Sequence, residues 1–523
     1  MPDLKEEEEE RSPISSSEDS NAETENGLGF QPIKATPTDT PMAKVNTGAS
    51  LTNTLMRTRS TNGFGCDDPV NTCDGTGGDI EAQRADEKDP FEVRFDGGDS
   101  DPMCPRSMAH GRKWLIVIIV SASSFCVTCA SSMYTSTYAQ LEKEFNCSRE
   151  VVTLGLSMFI LGLGLGPMLL GPLSFFDGLS GSAFLSVAGG TVGDMFNREQ
   201  LQAPMLIYTA SPFIGPSFGP LISGFINQYT YWRWTFYVMI IWSACNLGLI
   251  FFLVPETYHP VVLKAKARKI RKETGDDRWY APIERLNKSI PKTIGYSLLR
   301  PGQLLIFEPM CLNLCIFSAI LLGILYLFFG AFPLVFHGNH GFQLWQTGLA
   351  FIGLFIGMMF AAATDPFWHK NYVRLVKQRE QVTGEIGGSE PEYRLPPAIL
   401  GAVLVPVGLF IFAWTTYPSV HWIAPIIGSG IFGMGTLLVF TGIFTFLVDA
   451  YPLYAASSLA ANSFIRSSFG AIFPLFGIQM YHKLGDQWAT SLLAFLTVVM
   501  TPFPYIFFKY GKQIRGRSRF ATA

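Results

Sequence analysis

The sequence predicts an all-α membrane protein. Apolar windows about 20 residues long, the length a helix needs to cross a hydrocarbon core about 30 Å thick, recur from Trp114 onward. Hydrophobic residues make up 48 % of the chain and charged ones only 15 %, and the basic charge gathers in short stretches outside those windows. Gly and Pro are frequent inside the windows, which membrane helices permit because neighbouring helices satisfy the freed backbone groups.

The first 112 residues differ from the rest. They open on "MPDLKEEEEERSPISSSEDSNAETENG", are rich in Glu, Ser, Thr, Gly and Pro, and show no apolar periodicity. Such a segment cannot offset ordering entropy by burial, so residues 1–112 are expected to form a disordered tail. The acidic opening has no apolar h-region, and the first span is expected to serve as its own insertion signal. Ser12, Thr36 and Thr40 each precede Pro and are candidate phosphorylation sites in that tail.

The windows fall at 114–134, 151–173, 177–196, 203–226, 234–254, 309–335, 345–364, 397–415, 422–448, 456–480 and 488–508, about eleven in all. Basic stretches "KAKARKIRK" (264–272), "HKNYVRLVKQR" (369–379) and "KYGKQIRGRSR" (509–519) belong on the cytoplasmic side by the positive-inside rule. The resulting divisions are a tail (1–112), a first helical half (113–254), a central loop (255–303), a second half (304–508) and a basic tail (509–523). Six windows after residue 304 alternate in agreement with the basic loops. The first half does not. Five windows separate basic Arg112 and Lys113 from the basic central loop, and an odd number of crossings cannot join two points on one side. Either 177–196 stays re-entrant or interfacial, or a span is missing near Ser174–Phe175, where "LLGPLSFFDGLSGSAF" lacks a charged turn.

Two half-bundles joined by a long basic loop, with "YTASPFIGPSFGPLISGFI" (208–226), "WRWTFYVMIIW", "VPETY" and "GILYLFFGAFPLVF", resemble the major facilitator superfamily, and within it the fungal twelve-span drug:proton antiporters. Gly215, Pro216, Gly219, Pro220 and Gly224 match the small and kinking positions of that family's antiporter motif. The resemblance covers about residues 110–515 and implies proton-coupled export of small hydrophobic or cationic compounds by alternating access. It implies multidrug efflux at the plasma membrane, by a monomer with both termini in the cytoplasm, with polyamine or secondary-metabolite export as the alternative. "GLGLGPMLLGPLS" resembles the end of the second span, and "FFDGLSGSAFLSVAGGTVGDMF" the fourth, with Ser174 where the family has Arg. The rest of the basic loop motif and the whole third span are thus expected to be absent, through a splicing or gene-assembly deletion or a genuine shortening. A non-transporting protein is the reading from another class.

Coupling a proton to a solute calls for ionisable groups inside the spans, where they are costly. Arg466, in "LAANSFIRSSFGAIFP" with Asn462 one turn before it, reads as a cavity-lining cation or a helix-to-helix tie. Asp177 reads as a titrating carboxylate on a small-residue face, or as an interfacial residue of a shortened chain. Glu308 is followed by Pro309 and suits a helix N-cap at the mouth of a span. Asp194, Asp365 and Asp449 lie at window ends and suit capping. Tyr326, Phe329, Trp242 and Trp414 are aromatic candidates for a substrate cavity or for packing. Gly353 and Gly357 form GxxxG, with the 215–224 face as expected partner. Arg233, between Trp232 and Trp234, reads as an interfacial anchor, and Asn146 in "NCS" as a weak glycosylation acceptor.

Cys126, Cys129, Cys245, Cys311 and Cys315 lie in apolar runs and read as packing residues; Cys66 and Cys73 are too few for zinc. No metal-ligand cluster and no GxxxxGK[ST] loop occurs, so no cofactor is expected and energy should come from an ion gradient. Expected partners are a small molecule, protons and the bilayer, with no nucleic acid.

Overall fold

The structure is a computed structural model that describes residues 91–96, 101–170, 188–196, 200, 202–285, 290–384, 389–518 and 520–521. The described residues are almost wholly helical. In the first half, α1 (His110–Met133) runs through a 3-10 turn (Tyr134–Thr137) into α2 (Tyr138–Phe145), followed by α3 (Arg149–Leu170), α4 (Ala188–Met195), α5 (Gln202–Tyr229) and α6 (Arg233–Leu253). The central loop carries α7 (His259–Thr274), α8 (Pro282–Arg285) and α9 (Ile290–Phe307). The second half comprises α10 (Pro309–Phe332), α11 (Leu344–Ala350), α12 (Ile352–Ala363), α13 (Asp365–Thr383), α14 (Pro396–Trp414), α15 (Ile423–Ala450), α16 (Ala455–Met500) and α17 (Pro502–Arg515). Seven of the described helical runs are long and apolar enough to cross a membrane by length and composition.

Small residues decide how these helices pair. Gly401, Gly408, Gly428 and Gly435 let α14 and α15 approach backbone to backbone; a methyl on Gly428 would stand 2.6 Å from the Phe412 nitrogen. Packing of small residues, rather than burial from water, drives helix association inside lipid. Apolar side chains on the outer faces, such as Phe251 and Phe252 on α6 at 78 % and 81 % exposure, are the complement of that arrangement. The windows 456–480 and 488–508 emerge as one run broken at Gly485, whose φ of 77° is the left-handed turn that glycine adopts without strain.

Cross-helix contacts fix the directions. Tyr208 packs with Val117 and Val120, Gly215 lies against Thr128, and Gln140 reaches Asn227, so α1 and α5 run parallel. Glu150 meets Gln479 and Ser157 meets Ala471, so α3 runs antiparallel to the start of α16. The Asn146 and Tyr231 loops therefore share one end, while His110, Leu170 and Val254 lie toward the other.

Within the 177–196 window the structure describes α4. It is eight residues, about 12 Å long. Phe196 just beyond it packs on His110 and Trp114 at the beginning of α1. Leu170 and Phe196 thus stand toward the same end. Four long helices, α1, α3, α5 and α6, make up most of the described first half. Ser174, Phe175, Asp177 and the start of the 177–196 window lie outside the described residues.

One part of the tail is built into the fold. Residues 91–96 and 101–107, assigned by composition to the disordered tail, pack on the central loop. Lys266 on α7 is 8 % exposed and donates to Asp101 at 2.5 Å, Asp96 at 2.6 Å and the Arg94 carbonyl at 2.9 Å. Val93, Ala267 and Ala281 form a small core beside it, and Phe91 packs edge-on to Trp279.

Candidate site between the half-bundles

The motif residues of α5 make its contact surface. A methyl on Gly215 would overlap the Thr128 side chain and stand 3.0 Å from the Phe125 carbonyl. One on Gly219 would overlap Ser132 and approach the Cys129 carbonyl at 2.7 Å. Pro212, Pro216 and Pro220 lie inside α5 and remove three donors from its ladder. Cys129 donates to the Gly215 carbonyl at 3.1 Å, a bond within the α1–α5 contact. Gly224, at the far end, faces Leu344 and Trp345 of the other half, and Gly348 faces the Pro220 carbonyl. The α5 motif thus touches both halves.

Gly353 and Gly357 find a different partner from the one expected. Both belong to α12 and pack against α15: a methyl on Gly353 would stand 2.6 Å from the Ile426 carbonyl, and one on Gly357 would overlap the Gly430 backbone. α5 is met instead by Gly348 of α11, against the Pro220 carbonyl, and by Phe355 of α12, against Phe218 at 4.8 Å. GxxxG spacing specifies a close approach but not which helix makes it.

At mid-bundle the halves meet through polar and aromatic groups. The Ser131 hydroxyl of α1 donates to the Thr128 carbonyl at 2.6 Å, leaving its oxygen to accept from Tyr326 of α10 at 2.9 Å. Tyr326 is 4 % exposed and also lines a narrow crevice with Tyr138, Thr153, Leu156, Pro474 and Ile478. Asn462 donates to Ser318 of α10 at 2.9 Å, and its carbonyl oxygen is buried without a partner.

Arg466 stands one turn beyond Asn462. Its guanidinium carbon lies 5.1 Å from the Phe444 ring centre, 5.4 Å from Phe213 and 5.6 Å from Phe440. Phe213 belongs to α5 and the other two to α15, so a cation of the second half rests on a ring of the first. Phe213 and Phe440 stack at 4.8 Å. Nε and Nη1 of Arg466 are buried and have no hydrogen-bond partner. These three rings were not legible in the sequence as a unit. Phe440 and Phe444 are one turn apart on α15 and Phe213 precedes the α5 motif, but nothing local brings them together.

Other candidates sit elsewhere. Glu308 occupies the N-cap of α10 with Pro309 behind it, yet makes no side-chain cap. Its carboxylate is 3 % exposed and accepts from Tyr451 at 3.2 Å and Ser518 at 2.7 Å, joining α10 to the end of α15 and the C-terminal segment. Trp242 on α6 meets Phe125 at 5.8 Å, and no described contact joins it to Arg466. Phe329 packs on Tyr326 at 5.3 Å, and Trp414 on Trp488 at 5.7 Å near the Asp486 end. Asp449 pairs with Arg394 at 3.1 Å, Asp365 opens α13, and Asp194 is buried at the end of α4. Arg233 pairs with Glu144 at 2.8 Å and lies over Trp232 and Tyr231. Asn146 is exposed in a left-handed conformation after α2. Asp177 lies outside the described residues.

Outside the spans, the partners in the Lys266 cluster shift one another's titration. Burial pushes the Asp101 carboxyl upward, but the Lys266 ammonium and the backbone N–H groups of Met103 and Asp96 outweigh it and hold the carboxyl below its ordinary range. Burial likewise opposes the Lys266 charge, and Asp101 and Asp96 overcome it, raising that ammonium.

Comparison with known proteins places these features. Residues 173–474 match the Major Facilitator Superfamily, beginning beside the Ser174–Phe175 join. The chain is 55 % identical over 438 residues to the efflux pump atB of Aspergillus terreus, covering 83 % of this chain and 90 % of that one. It is 40 % identical over 478 residues to the probable drug/proton antiporter YHK8 of Saccharomyces cerevisiae, covering 84 % and 92 %. It is 39 % identical over 476 residues to the multidrug transporter mdrA of Aspergillus fumigatus, covering 83 % and 77 %. Likeness of this extent, over helices whose small faces join two half-bundles, makes the chain a multi-pass membrane protein of the Major Facilitator Superfamily.

Proposed function

We propose that this protein is a proton-coupled secondary transporter that exports small, largely apolar compounds by alternating access between its halves. The carrying observation is the mid-bundle junction, where Arg466 of α16 lies over Phe213 of α5 and Tyr326 of α10 bonds Ser131 of α1. Contacts of this kind between halves can break and re-form as a two-state element requires. Asp177 is the proposed proton carrier, and Arg466, Asn462 and Tyr326 line the solute path. Basic α7, α13 and the C-terminal tail are gathered at the end where α1 begins, which favours cytoplasmic termini in the plasma membrane. The names of the relatives, an efflux pump and a drug/proton antiporter, support the same direction of transport.

A second reading concerns the first half. The yeast comparison spans 478 residues while taking in 84 % of a 523-residue chain, so the relative contributes on the order of 40 further positions, enough for one span and a turn. The atB comparison spans 438 residues over 83 % of the chain and leaves almost no such excess. This favours a short first half as a form shared with a relative, in which transport must proceed without a third span.

The test is uptake of a fluorescent hydrophobic compound into proteoliposomes holding the full chain, with an imposed pH gradient. Uptake that a protonophore abolishes supports the reading. Folded protein with no uptake under any gradient overturns it in favour of a non-transporting membrane protein.

A further inference from the structure

Resting on the export reading above, the charge of the solute follows from what surrounds Arg466. Among the described residues Arg466 makes no ion pair, and two of its nitrogens are buried without a hydrogen-bond acceptor. A buried donor left unsatisfied carries a desolvation penalty, larger when the group is charged. The residue is partly exposed while Nε and Nη1 are buried, so an anion would reach those nitrogens through the opening between halves that the export reading requires. The three phenylalanine rings surround the guanidinium carbon at 5.1–5.6 Å and supply no hydrogen-bond acceptor, so polar recognition falls to its N–H edge. That edge is a planar fork suited to two parallel bonds to a carboxylate.

We propose that Arg466 is the anchor of a substrate subsite for planar aromatic monoanions, with the carboxylate held on the guanidinium edge and the ring lying among Phe213, Phe440 and Phe444. A fixed cation at this point opposes a cationic solute, so the subsite departs from the hydrophobic-or-cationic expectation that the family resemblance carries. Asn462, one turn away with an unpaired carbonyl oxygen and its amide committed to Ser318, neither neutralises Arg466 nor competes as a donor.

Three probes with one ring separate the alternatives: 2-naphthoate, 2-naphthamide and 2-naphthylmethylammonium. Equilibrium binding of each is measured at pH 7 to the full chain in nanodiscs. The naphthoate is expected to bind at least about tenfold tighter than the amide, the scale of a charge-assisted hydrogen bond, and the ammonium more weakly than either. Arg466→Gln should erase the preference for naphthoate over the amide. Asn462→Asp retains the arginine and sets a carboxylate at i−4 to pair with it; it should erase the same preference even if Arg466→Gln fails to fold. Wild-type protein that prefers the ammonium, binds none of the three, or keeps its naphthoate preference in a folded variant overturns the subsite. Naphthoate binding with no proton-driven uptake of any compound would instead refute the export reading and leave the subsite standing.

Discussion

Replacing Gly219 by Ala tests whether the α5 motif is a packing surface fitted to α1. The added methyl would overlap the Ser132 hydroxyl, which can rotate, but would also stand 2.7 Å from the Cys129 carbonyl and 2.9 Å from the Met133 nitrogen, which cannot. Ordinary contact begins at 3.4 Å, so relief toward Cys129 alone requires a shift of 0.7 Å, from 2.7 to 3.4 Å. Overpacking on that scale costs about 1–3 kcal/mol. Two controls bracket it. Gly224 would place its methyl 3.1 Å from the Leu344 carbonyl, a milder squeeze, and Gly248 on α6 has nothing within 4 Å. Thermal unfolding of the purified variants in one detergent should rank Gly219→Ala lowest and Gly224→Ala above it. Gly248→Ala should lie at or slightly above the parent, because Ala is the better helix former. Unfolding of Gly219→Ala at the parent's temperature, with a drop for Gly248→Ala, would refute the reasoning.

Further outcomes follow from the same geometry. Tyr326→Phe removes the cross-half bond to Ser131, worth about 1 kcal/mol, and should shift the balance between the two access states roughly fivefold, read as a change in pair distances between spin labels on α1 and α10. Glu308→Ala strips Tyr451 and Ser518 of their shared acceptor and should speed hydrogen exchange at residues 516–518 without changing which solutes bind. Lys266→Met leaves the Asp101 carboxylate with only the backbone N–H groups of Asp96 and Met103 as partners and should open residues 101–107 to proteolysis while the spans stay protected. The pH dependence of that docking has two edges. Asp101, lowered in the fold, contributes stability above its ordinary value of about 3.9 and loses it as pH falls through the folded value; Lys266, raised in the fold, contributes below about 10.4 and loses it as pH rises further. Proteolysis of 101–107 should therefore be flat between about pH 5 and pH 10 and rise on either side.

The helices were legible because apolar length is a local property: 309–335, 397–415 and 422–448 coincide with α10, α14 and α15 to within a few residues. The odd window count of the first half was legible too, but the Ser174–Phe175 join and the start of the 177–196 window, where the sequence puts its origin, lie outside the described residues. What the sequence could not carry was pairing. Gly353 and Gly357 announced a close approach, but the rotation that gave it to α15 depends on where α11 meets α5. Arg466 stood out by charge alone, whereas its three rings come from two helices more than 200 residues apart. Composition also hid the docking of residues 91–107, because a single buried Lys266 and three small apolar residues suffice to order a polar segment once α7 offers a surface.

The central claim, that one chain exchanges a solute for a proton, is tested most directly by loading proteoliposomes of the full chain with a lumenal pH dye and adding 2-naphthoate outside at equal pH. The account predicts a saturable, naphthoate-dependent pH change that Gly219→Ala slows and empty liposomes lack. Binding of naphthoate to folded protein with no accompanying proton movement would contradict it.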